Sequence, residues 1–166
     1  MEAIVAGPER RERLTAEIME RTGIDEAMIE RLVHGFYAKV RADAVLGPIF
    51  EARIGNWAPH LAQMCAFWSS VALMTGRYHG QPIRMHVDLP VDRLHFDRWL
   101  ALFEATAAEI CPPTAAAHFV ERARRIADSL ELGIATAQGR IEAPRHSRPS
   151  TDRSSAALPD GAACSG

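Results

Sequence analysis

Ile29, Leu32, Val33, Phe36, Tyr37 and Val40 fall at i, i+3, i+4, i+7, i+8 and i+11. On a 3.6-residue period they form one continuous apolar stripe, which a chain can bury only as a helix packed against other helices. No segment sustains the period-2 alternation of a half-buried strand. The chain is therefore expected to be all-α.

Punctuation along the sequence divides it into five or six helices. Residues 9–22 suit a short polar helix ending at Gly23, and Asp25 is placed to cap the striped helix that follows. "DAVLGPIF" (43–50), with its Gly47-Pro48 break, is expected to form short turns. Asn56 caps the next helix, with Pro59 tolerated in its first turn. His60, Met64, Phe67, Trp68 and Val71 share one face there, and the helix runs to about Thr75 before Gly76. Residues 76–92 are rich in Gly and Pro, with one short helical piece over 82–87. A long helix fills 91–110 and stops at Pro112-Pro113. Another, capped by Thr114, fills 114–133 and presents Phe119, Ala123, Ile126, Ala127 and Leu130.

Composition removes several function classes. Hydrophobic residues make up 48% of the 166 residues, enough for a core. The formal net charge is −2, which offers no basic surface for nucleic acid or an anionic membrane. No apolar run suits a signal peptide or a transmembrane helix. The cysteines are Cys65, Cys111 and Cys164, odd in number and without C-x-x-C spacing. This argues for a reduced, cytoplasmic protein without a disulfide framework or thiolate zinc site.

The seven histidines separate by context. His146 lies in a polar tail, and His34 and His118 read as surface residues. His95 sits where it can cap its helix or touch a ligand edge. His60 is the polar member of an aromatic stripe, either a satisfied core histidine or a donor into a pocket. Tyr37 and Trp99 pose the same choice on two other helices. Three helices that each offer one donor from an apolar face match the usual form of a small-molecule site. His79 and His86 remain, within "GRYHGQPIRMHVDLP" (76–90). Neither belongs to H-x-x-x-H, H-E-x-x-H or a paired E-x-x-H, which disfavours zincin and di-iron readings, and Asp92-x-x-His95 alone is no di-iron site. One histidine on a short helix beside a pocket suits haem, where a porphyrin supplies four ligands.

Taken together, "FYAKVRAD", "LGPIF", "W..HL..M..FWSS", "TGRYHGQPIRMH..LP" and "HFDRWLALF" resemble the group III truncated haemoglobins of bacteria, over roughly residues 25–135. The resemblance implies a truncated globin fold in which two antiparallel helix pairs sandwich haem b (2-on-2). The globin domain is expected over 24–138, after a partly helical N-terminal extension over 1–23, and the Pro-, Ser- and charge-rich stretch over 139–166, which has no periodicity, is expected to be a disordered tail. The histidine closing G-x-Y-x-G-x-P-x-x-x-H is the family's proximal iron ligand, here His86, and His79 falls at a variable position of that motif. Tyr37, Trp99 and His60 correspond to distal residues that stabilise the ligand. Phe36, Phe50, Met64, Phe67, Trp68 and Leu89 are expected around the haem, and Arg77 and Tyr78 toward its propionates. With no C-x-x-C-H, the haem is expected to be non-covalent.

A bound O2 carries partial negative charge, so the Tyr37 hydroxyl and Trp99 N–H are expected to slow its release. Slow release suits peroxide reduction or oxidation of nitric oxide, with O2, NO, CO or peroxide as ligands and an unidentified reductase as partner. A non-catalytic O2 carrier or scavenger is the alternative. A gas sensor fits least, since no signalling domain follows the globin.

Overall fold

The computed structural model describes residues 7–140. Seven helices make up their regular structure: α1 (Gly7–Thr22), α2 (Glu26–Ala42), α3 (Leu46–Arg53), α4 (Trp57–Leu73), α5 (Pro82–His86), α6 (Arg93–Ile110) and α7 (Pro113–Ala137). No strand occurs among the described residues. The tail expected over 139–166 lies outside them from residue 141 on, His146 included.

The striped helix is the centre of the core. Ile29, Leu32, Val33, Phe36 and Val40 of α2 are all at or below 1% exposure. The Asp25 carboxylate starts this helix by accepting the Met28 N–H at 2.7 Å, and Gly23 ends α1 at φ +72°. α2 packs on α3, α4 and α6, and α6 packs on α7. Aromatic side chains join these layers. Phe103 of α6 stacks on Trp68 of α4 at 4.8 Å and meets Phe36 of α2 edge-on at 5.2 Å. Full burial of each such side chain contributes about 1.5–3 kcal/mol.

Residues 46–53 are helical, where short turns were expected. Pro48 is the third residue of α3, a position whose N–H has no acceptor within the helix, so its missing donor costs nothing. Asp43 accepts the Val45 and Leu46 N–H groups at 2.9 Å each. A Cβ on Gly47 would stand 2.7 Å from the Arg41 carbonyl oxygen, so only glycine lets α3 start this close to the end of α2.

Three smaller differences concern helix ends and one histidine. α4 stops at Leu73, because Met74 takes the left-handed conformation at φ 60° ahead of Gly76. α7 begins with Pro113 at its first position rather than with a Thr114 cap. It also continues through Gly133, whose added Cβ would lie 3.2 Å from Ile83 Cγ2, so this glycine seats α5 against α7 rather than ending the helix. His118, expected at the surface, is half-buried with Nε2 2.8 Å from the Ala72 carbonyl oxygen.

Among the described residues, no helix is long and apolar enough to cross a membrane.

Candidate functional site

The helices enclose a cavity of about 430 Å³, a size within the range of small-molecule and cofactor sites. Tyr37 of α2 and Leu46, Ile49, Phe50 and Arg53 of α3 form part of its wall. From α4 come His60, Met64, Phe67 and Trp68; from α5 and the segment after it, Met85, His86, Leu89 and Val91. Phe96 and Trp99 of α6 and Ile126 and Leu130 of α7 complete it, with Tyr78 beside them. The three donors read from separate helices, Tyr37, His60 and Trp99, thus share one apolar cavity with His86.

Tyr37 is 6% exposed, and its neighbours are ring edges: Phe36 at 5.0 Å, His60 at 5.4 Å, Trp57 at 5.9 Å and Phe50 at 6.1 Å. Burial pushes its phenol well above the ordinary tyrosine range, so the hydroxyl keeps its proton and remains a donor. The His60 ring stands edge-on to both Tyr37 and Trp57, the latter at 5.6 Å. Its Nε2 is buried with no hydrogen-bond partner. Burial first, and the neighbouring His86 second, lower its basicity. Buried polar atoms in folded proteins nearly always find a partner, so an orphaned nitrogen at a cavity wall marks a place where a ligand can supply one. Trp57 is fixed in turn by a hydrogen bond to Glu51 at 3.1 Å and by the Arg41 guanidinium 4.5 Å over its ring.

Trp99 stacks on Phe103 at 5.6 Å and meets Phe36 edge-on at 5.3 Å. Phe36 is among the residues expected around a haem, but the structure puts it at 1% exposure behind Tyr37 and Trp99 and off the cavity wall. Its place in the middle of the α2 stripe explains this, since the rings of Tyr37 and Trp99 pack over it. Arg77 also lies off the wall, paired with Glu26 at 3.2 Å. Tyr78 does line it, with its ring against Phe67 at 5.1 Å and its backbone N–H on Ser70 Oγ at 2.8 Å. Its hydroxyl lies where a Cβ on Gly80 would be, so the Gly80 position has to be glycine for Tyr78 to fold back.

His86 closes α5, whose first residue is Pro82. Its Nδ1 lies 2.5 Å from the Pro82 carbonyl oxygen. A carbonyl only accepts, so Nδ1 carries a proton and donates, which in the neutral ring leaves the lone pair on Nε2. An imidazole prepared in this way is a metal ligand whose ring orientation is fixed by its other nitrogen. His79 is exposed and off the cavity wall.

Residues outside the sequence expectations hold the segment after His86. Arg53 contacts Asp88 through both terminal nitrogens, at 3.0 Å each, and donates to the Met85 carbonyl at 2.9 Å. Just beyond α7, Gln138 Nε2 donates to the Val87 and Leu89 carbonyls at 3.1 Å each, and Arg140 donates to Val91 at 3.0 Å. Met85, Val87, Asp88 and Leu89 lie within the histidine motif itself, and Val91 directly follows it. Arg53, Gln138 and Arg140 are brought there by the fold. His95 caps its helix, its Nδ1 accepting the Asp92 N–H at 3.1 Å in a capping box, and it also lines the cavity.

The chain is similar to the group 3 truncated hemoglobin ctb of Campylobacter jejuni, with 43% identity over 86 residues that make up 49% of this chain and 68% of that protein. It is also similar to the crystal structure of a group III truncated hemoglobin from Campylobacter jejuni, at a TM-score of 0.64 and 35% identity, covering 67% of this chain and 91% of that one. No family model matches the chain.

Proposed function

The chain belongs to the group III truncated haemoglobins, and from that membership we propose that its cavity holds a non-covalent haem b with His86 as the residue that would bind the iron, and that Tyr37, Trp99 and His60 act on a diatomic ligand. The fold is the all-α truncated globin fold, two antiparallel helix pairs of 2-on-2 form, and a globin of this family binds haem. We assign the globin unit to residues 24–138.

The observation that carries the reading is the His86 Nδ1 contact with the Pro82 carbonyl at 2.5 Å. It leaves Nε2 as the basic nitrogen of the one histidine on the short helix beside the cavity. The remaining wall fits the same group. Phe50, Met64, Phe67, Trp68 and Leu89 offer an apolar lining, and His60 Nε2 offers a buried nitrogen without a partner.

Haem, when bound, would supply an iron that takes O2, NO, CO or peroxide. The chain's residues supply the rest. His86 holds the group from one side, and its bond to the Pro82 carbonyl strengthens Nε2 as a donor. The Tyr37 hydroxyl, kept protonated by burial, donates to a ligand carrying partial negative charge, and Trp99 Nε1–H is a second donor. His60, kept neutral by the same burial, can accept or donate at Nε2. The aromatic lining excludes water, which strengthens each of these bonds. A hydrogen bond to a charged acceptor is worth about 1.5–3 kcal/mol, so two such donors give slow O2 release. That suits consumption of the ligand by peroxide reduction or nitric oxide oxidation, with electrons from a separate reductase, more than delivery.

The test is the O2 dissociation rate. Tyr37→Phe is expected to release O2 at least about tenfold faster, the effect of one such bond, and Trp99→Phe to do so as well. Rates unchanged in both variants contradict the reading.

A further inference from the structure

The cavity wall contains one side chain of permanent charge. Beside three histidines, two tyrosine hydroxyls, two tryptophan N–H groups and two side-chain amides, every other lining residue is apolar or glycine except Arg53; Asp, Glu and Lys are missing from the wall among the described residues. Arg53 is already shaped to hold a carboxylate. Nη1 lies 3.0 Å from one Asp88 oxygen and Nη2 3.0 Å from the other, the two-point fork with which a guanidinium receives a planar anion. Both side chains reach solvent, Arg53 at 40% exposure and Asp88 at 65%, so a second carboxylate can approach the same fork. The arginine expected near a haem edge, Arg77, is off the wall and pairs with Glu26 instead.

We propose that Arg53 is the carboxylate receptor of this cavity: it pairs with a haem carboxylate through the same fork that holds Asp88. The proposal rests on the haem reading above. A cofactor that is apolar over its faces and anionic at one edge needs a cation where that edge meets the wall, and an apolar cavity with a single guanidinium at its rim provides one. Asp88 competes for the same fork, so its carboxylate opposes cofactor binding. The Met85 carbonyl, 2.9 Å from Nη2, keeps Arg53 at the rim as the partner changes.

The experiment is haem loss from the reconstituted full chain, followed by transfer to an excess of acceptor apoglobin. Haem is compared with its dimethyl ester, whose carboxylates carry no charge. Arg53→Gln is expected to speed loss of haem about tenfold, the effect of one hydrogen bond to a charged group, and to leave loss of the ester unchanged. Arg53→Lys, which keeps the charge without the fork, should fall between. Asp88→Asn should slow loss of haem, because it removes the competitor. Equal acceleration for haem and ester shows that Arg53 only braces the Met85–Asp88 segment and overturns the proposal, as does no acceleration for either. His86→Gly separates the two levels: if it leaves the axial-ligand spectrum unchanged, the reading of His86 is wrong, whatever Arg53 does.

Discussion

The ring of His60 stands edge-on to that of Tyr37, centroids 5.4 Å apart, and His60 Nε2 is buried without a hydrogen-bond partner. An unsatisfied buried polar atom costs about 1–3 kcal/mol. His60→Leu is therefore expected to raise the stability of the haem-free protein by an amount in that range, as read by urea unfolding. Stability unchanged or lowered would show that the nitrogen is satisfied in solution. The cost is one expected of a site built for a ligand.

Acid should weaken the haem-free protein in a particular window. Burial lowers the pKa of both His60 and His118 below the ordinary 6.5. The unfolded chain then binds protons that the folded chain refuses, so stability is full above pH 6.5 and falls as pH drops from there through the lowered folded values. The His60→Leu variant should show a shallower fall than the parent between pH 7 and 5. An identical slope would mean that His60 does not titrate in this way.

Helix positions were legible in the sequence wherever one residue sets local geometry. Asp25 and Asn56 cap α2 and α4, with Asn56 accepting the Ala58 N–H at 3.3 Å. The α2 stripe is the core. Gly47-Pro48 misleads because proline looks the same in a turn and in the first turn of a helix. The remaining differences are tertiary. Phe36 is on the right helix and one layer too deep, and Arg77 is beside the cavity and drawn to Glu26. Ile126 and Leu130 were read only as an apolar face, yet they line the cavity. No spacing in the sequence pairs Arg53 with Asp88 or Gln138 with Val87; those contacts exist only once α3 and α7 are packed.

Gln138 should steady the segment after His86. It bonds two carbonyls, those of Val87 and Leu89 on either side of Asp88, from outside the helix that carries the histidine. Each such bond is worth about 0.5–1.5 kcal/mol. Gln138→Ala is expected to speed amide hydrogen exchange over residues 87–91 and leave the α2 core amides unchanged. Uniform acceleration throughout would point to global destabilisation instead.

Gly47→Ala tests the close start of α3. Its Cβ would meet the Arg41 carbonyl at 2.7 Å, and overpacking of this kind costs about 1–3 kcal/mol. The variant should unfold at lower urea by that amount, with the shift absent in Gly55→Ala, where a Cβ meets nothing within 4 Å.

The central claim is that His86 binds the iron, with its ring fixed by the Pro82 carbonyl. Its most direct measurement is the spectrum of ferrous, ligand-free His86→Gly after haem reconstitution. The account predicts loss of the histidine-ligated spectrum and of the iron–histidine stretching band in resonance Raman, both restored by added imidazole. A variant that keeps the parent spectrum and band without imidazole would contradict it.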